Sequence, residues 1–198
     1  MSEQTPLSLG TEDIKKLLMR YAVPAIVAMT AASLYNMMDS IFIGHGVGAL
    51  GIAGLAVTFP FINLAAAFGS LVGVGASTLV SVKMGQKDLK SAEAVLGNVL
   101  LLNTVIGFLF MTVCLIFLDP ILYFFGASAD TLPYARDYMK VILYGNLITH
   151  IYMGLNEVMR ASGYPQRAMM ATLFAVLING VLNALFIFVL DMGIKGAA

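Results

Sequence analysis

The sequence predicts an all-α integral membrane protein, a bundle of transmembrane helices, and three observations carry that prediction. Hydrophobic residues make up 60% of the 198 and charged residues only 11%, against about 45–50% and about 25% in soluble domains. Mean hydropathy is +0.90. Five apolar stretches each reach the roughly 20 residues that cross about 30 Å of hydrocarbon at about 1.5 Å per residue.

The chain opens on a polar, acidic tail, 1–13. It lacks the basic region and small-residue cleavage site of a removable signal, so the first apolar stretch is expected to persist as a helix. That stretch covers 17–44. The second, 52–82, is long enough to tilt or break, and Pro60 lies in its first half. Its string from Phe68 through Gly69, Gly73 and Gly75 to Ser77 offers a smooth face for close helix packing. The third, 94–118, holds the single cysteine, Cys114, which excludes a disulfide framework and reads as a small apolar side chain. The fourth covers 138–159 and the fifth 168–190; a sixth helix begins at 193–198, where the sequence looks cut short.

Orientation follows from the basic residues. Lys15, Lys16, Arg20, Lys83, Lys87, Lys90, Arg160 and Arg167 fall on one side of the predicted bundle, and Arg136, Lys140 and Lys195 on the other. Eight against three places the N-terminus in the cytoplasm of a bacterial-type inner membrane. Acidic and basic residues balance at eleven each, so charge points to no nucleic-acid partner.

Ionisable groups inside hydrocarbon cost about 2.5–3.5 kcal/mol on insertion scales, so they mark candidate sites. Asp39 is the clearest, in the outer half of the first helix, with Tyr35 at i−4 and Asn36 at i−3 on the same face. A carboxyl there can take up and release a proton, or its oxygens can ligate a cation together with amide carbonyls. The alternative is a solvated carboxyl near the helix end. Asn179 and Asn183, one turn apart on the fifth helix, lie about 18 to 24 Å beyond Arg167, at a depth matching Asp39. They read either as part of one site with it or as interhelical glue. Glu157 is expected to pair with Arg160 at i+3. His45 and His150 have no ligand partners at metal spacing. Met37, Met38, Met153, Met159, Met169 and Met170 offer adaptable apolar surface. No nucleophile elbow, P-loop or helical metal motif occurs, so an enzyme is not expected and no cofactor is called for.

The run 35–44, with Tyr35, Asn36 and Asp39, resembles the multidrug and toxic compound extrusion (MATE) family. So do 53–56 and 73–76 in the second helix, Met84, Gly85 and Gln86 after it, 160–163 after the fourth helix, and 193–198. The resemblance implies a twelve-helix, two-lobe antiporter that exports cationic or amphipathic compounds on inward protons or sodium. On that basis 14–198 is a truncated N-terminal lobe, and its missing partner is the C-terminal lobe of the same transporter. The resemblance makes Asp39 the coupling carboxyl, assisted by Tyr35, Asn36, Asn179 and Asn183, with sodium held at Asp39, Asn179 and Asn183. Met38, Pro24 and Pro60 are the substrate-cavity candidates, the two prolines where helix packing would shift. Many relatives carry Asp where this chain has Asn183; a lone Asp39 leans toward protons. The rival expectation, a flippase for lipid-linked precursors or a polysaccharide exporter, calls for interior Arg and Lys, and the predicted membrane interior has none.

Overall fold

The computed structural model describes residues 12–198, so residues 1–11 of the tail lie outside the described part. Its elements are α1 (Ile14–Gly46), α2 (Ala49–Gly85), α3 (Leu89–Ile116), α4 (Leu118–Phe124), α5 (Leu132–Ala161), α6 (Pro165–Ala184) continued by a π-helical turn (Leu185–Val189), and α7 (Ile194–Ala197). No strand occurs among the described residues.

Each long helix begins before the apolar stretch that predicts it, because its first turns lie outside the hydrocarbon. Asp13 starts α1 by accepting from the Lys15 N–H. Asp88 starts α3 by accepting from the Ser91 N–H at 3.2 Å, and hydrogen bonding to Ser91 holds its carboxyl below the usual carboxylate range. The third helix therefore begins at Leu89 and not near 94. Inside the membrane, hydroxyls are satisfied locally: Ser33, Ser40, Thr104, Thr112 and Thr149 each donate to the carbonyl four residues back.

Two elements differ from expectation. The polar connection after the third helix contains α4, whose Leu118 and Leu122 are spaced i, i+4 and buried in the core. The Arg136 guanidinium grips Asp119 from α5, donating through Nε to Oδ1 at 2.7 Å, and so pins α4 across the bundle end. The fifth stretch leaves α geometry at Leu185 and finishes as the π turn.

The helices long and apolar enough to cross a membrane by composition alone are α1, α2, α3 and α6 with its π turn; α5 is not among them. It packs against α2, α3, α4, α6 and α7, so protein covers much of its surface and buried Asn146, His150 and Asn156 are accommodated. The bundle has two parts. α2, α3 and α5 pack on one another, while α1 pairs mainly with α6. The main core lies toward the α4 and α7 end, around Ile43, Phe61, Leu122, Met139 and Leu143. A smaller one, with Val80, Val99 and Val158, lies at the other end.

Close approach between α2 and α5 depends on small residues, since lipid provides no hydrophobic drive for association. A β-carbon on Gly73 would lie 2.8 Å from the Gly154 Cα, and one on Gly54 2.8 Å from the Tyr134 Cβ. Gly73→Val is expected to cost about 1–3 kcal/mol through overpacking. Gly75→Val, with nothing within 4 Å of the added carbon, should be near neutral. Thermal unfolding in detergent, followed by circular dichroism, separates the two.

Candidate functional site

α1 and α6 are parallel neighbours, with Tyr21 near Gly163 at one end and Gly46 against Ile187 at the other, and their pairing sets Asp39 opposite Asn183. The Asn183 Nδ2 donates to Asp39 Oδ1 at 2.9 Å, and both residues are buried, at 4% and 5% exposure. The pair spans 144 residues of sequence. A charge-assisted hydrogen bond in a low-dielectric site is the strong kind, and this one ties α1 directly to α6.

Two phenols complete the cluster. Tyr35, one turn before Asp39, approaches Asn183 from α1. Tyr138, buried at 4% on α5, faces Asp39. Sequence reasoning passes over Tyr138, since only its depth near the start of the fourth span hints that it belongs with Asp39. Asn179, one turn before Asn183, has a buried Oδ1 with no hydrogen-bond partner among the described residues. That oxygen can accept from a proton-bearing group or ligate a cation.

The cluster opens on a cleft of about 400 Å³ between α1 and α6, lined by Tyr35, Met38, Asp39 and Phe42 on one side and by Leu177, Val181 and Asn183 among others on the other. Met38 is among these lining residues. Three other candidates fall elsewhere. Asn36 is exposed, because its 300° separation from Asp39 around the helix puts it on the flank away from α6, whereas Tyr35 at 400° stays beside the carboxyl. Pro24 is buried on α1, about four turns before Asp39, and Pro60 is exposed on α2; neither lines the cleft. Glu157 and Arg160 pair at 3.8 Å as expected, outside the site.

The arrangement defines a class: a multi-pass membrane protein whose helix bundle presents an ionisable group, held by amides and phenols, to an apolar cleft. This chain belongs to the MatE family, whose model matches residues 24–185. It is 30% identical over all 198 residues to the multidrug export protein MepA of Staphylococcus haemolyticus, and 28% identical over 183 residues to MepA of Staphylococcus aureus. Among solved structures it is similar to an outward-facing multidrug resistance MATE family transporter of the MOP superfamily, at 28% identity and a TM-score of 0.91, with 98% of this chain and 44% of that one covered. A MATE solved in complex with MaD3S matches over 100% of this chain and 44% of its own, at 28% identity and a TM-score of 0.90. The chain spans 44% of the Staphylococcus haemolyticus relative and 41% of the Staphylococcus aureus one.

Because Asn183 supplies the hydrogen bond to Asp39, Asn183→Leu should cost about 1.5–3 kcal/mol, the range for bonds to charged groups. Asn183→Asp sets a second carboxyl beside the first. Its melting temperature should then rise more steeply with added sodium than that of the wild type, as read by a sodium titration of thermal unfolding.

Proposed function

We propose that this chain is the N-terminal part of a multidrug efflux antiporter in which Asp39 is the group that takes up the coupling ion. The observation that carries the reading is the buried Asp39–Asn183 hydrogen bond at the mouth of an apolar cleft. A carboxyl with one amide donor has unused lone pairs on the cleft side, where a proton or a sodium ion can neutralise it. For sodium, Asn179 Oδ1 offers a further oxygen. With a single carboxyl in the cluster, a proton is the simpler partner.

Neutralisation weakens the bond from Asn183 and the contact with Tyr138 of α5, so α1 is then freer to shift against α6 and against the α2–α3–α5 part. The cleft between α1 and α6 changes shape in that shift, which is how ion arrival would expel a bound compound. The lining residues are mostly apolar and include no Lys or Arg, a surface suited to cationic or amphipathic molecules and unsuited to pyrophosphate-linked ones. In this reading the end carrying Lys83, Lys87 and Arg160 faces the cytoplasm of a bacterial inner membrane. The remaining lobe completes the substrate path, and no enzymatic step or resident cofactor takes part.

The test is ethidium efflux from cells expressing the full-length transporter, with the proton and sodium gradients collapsed separately. Efflux is expected to fail when one gradient is removed and to be lost in Asp39→Asn. Efflux that survives Asp39→Asn with its ion dependence intact overturns the assignment.

A further inference from the structure

A second group of polar side chains lies inside the α2–α3–α5 part, away from the Asp39 cleft. His150 on α5 is 0% exposed, Asn103 on α3 is 0% exposed, and Asn146 on α5 is 4% exposed. Both nitrogens of His150, both polar atoms of Asn103 and the Nδ2 of Asn146 are buried without a hydrogen-bond partner among the described residues.

Their positions interlock. The imidazole sits between two glycines: a β-carbon on Gly69 of α2 would lie 3.1 Å from its Cδ2, and one on Gly107 of α3 would lie 3.4 Å from its Nδ1. Asn103, one turn before Gly107, packs against Gly154, one turn after His150. Asn146 is one turn before His150. The three side chains thus form a column, Asn146, His150 and Asn103, along the inner face of α5. The His150 ring also faces the Ala65 carbonyl of α2 but makes no hydrogen bond of normal geometry there. The Phe110 ring, with its centroid 6.0 Å away, closes one side.

Polar groups in a membrane interior are retained when they find partners, and the surrounding protein gives these atoms no hydrogen bond of normal geometry. Successive layers of the column are about 6 Å apart along the helix axis. That exceeds a direct hydrogen bond of about 2.9 Å, while a single water, bonded at about 2.8 Å on each side, bridges it. A water also needs two to four polar partners, and the unpartnered atoms of these side chains supply them.

We infer that Asn103, Asn146 and His150 form an internal water-binding site that bridges α3 and α5 within the membrane core of this lobe. One water between Asn146 and His150 and a second between His150 and Asn103 join the imidazole to the two amides, and the second fixes the register of α3 against α5. The α2–α3–α5 part is thereby held as one unit against which α1 and α6 move.

Hydroxyl-radical footprinting of the full-length protein in nanodiscs, with radicals generated from water by a short X-ray pulse, tests this. Bound water is a local radical source, so His150 is expected to be modified faster than Met139, which is equally inaccessible at 0% exposure and intrinsically more reactive. In the Asn103→Leu, Asn146→Leu double variant the His150 modification should be lost. Modification of His150 no faster than Met139 in the wild type overturns the site. Modification that persists undiminished in the double variant overturns it as well, because water would then arrive by opening of the bundle and not by binding to the amides.

Discussion

A carboxyl placed deep in a helix that borders lipid must find its partners inside the bundle, and much of this lobe is arranged to provide them for Asp39. α6 supplies the amide of Asn183 at 2.9 Å, α1 supplies Tyr35 one turn away, and α5 supplies Tyr138. Two long helices otherwise associated only by van der Waals packing acquire a directional contact at one level. Immediately beyond Asn183, α6 passes into the π turn, which brings Ile187 to 3% exposure against Gly46 of α1 and sets Phe188 edge-on to Phe42 at 5.7 Å. Such single π turns are frequent at functional sites in helices. Here the turn lets the α1–α6 seam close tightly beyond the carboxyl, toward the Gly46 end of α1.

The division into two parts gives that contact its mechanical sense. α2, α3 and α5 are keyed together by glycine contacts and by aromatic stacking of Phe61 and Phe68 on Phe110. The α1–α6 pair leans on them more lightly. At the end carrying Arg160, α5 and α6 are joined by the Asn156 Nδ2 donating to the Ala168 carbonyl and by the Tyr152–Thr172 hydroxyl pair. At the opposite end, Lys195 reaches Asp137 at 3.2 Å and Arg136 holds Asp119. The polar fastenings therefore sit toward the helix ends, and the level between them holds the Asp39–Asn183 bond. In the proposed function, that is the place where neutralising one carboxyl would loosen the packing.

Much of this was legible in the sequence, for reasons that mark where legibility stops. The order of the lipid-facing helices follows from apolar run length, which hydrocarbon thickness dictates, while α5 falls short on composition alone. The pairing of Asp39 with Asn183 follows from equal depth on two helices, a one-dimensional quantity that counting residues provides. Rotation about the helix axis is less accessible. Asn36 and Tyr35 are almost equally placed by spacing, yet only Tyr35 faces α6, because the direction of the neighbour is set by the whole bundle. Tyr138 was missed since nothing local distinguishes it from Tyr134 or Tyr144. α4 was hidden by Asp119 and Pro120, which give its first turn the look of a loop although Leu118 and Leu122 drive it into the core. His150 draws no interest from metal spacing; its isolation shows only once α2 and α3 close around it. Pro24 and Pro60 fall away from the cleft, so their expected place in the cavity rested on the family likeness and not on depth.

The central claim is that the Asp39 carboxyl changes state when the coupling ion and drug exchange. Infrared difference spectroscopy of the full-length protein, recorded on adding a cationic drug to the ion-loaded state, observes that carboxyl directly. The account predicts a carboxyl band that changes between protonated or ion-bound and free forms in the wild type and is missing from Asp39→Asn. An unchanged band in that variant, or a wild-type spectrum with no carboxyl change while drug demonstrably binds, would contradict it.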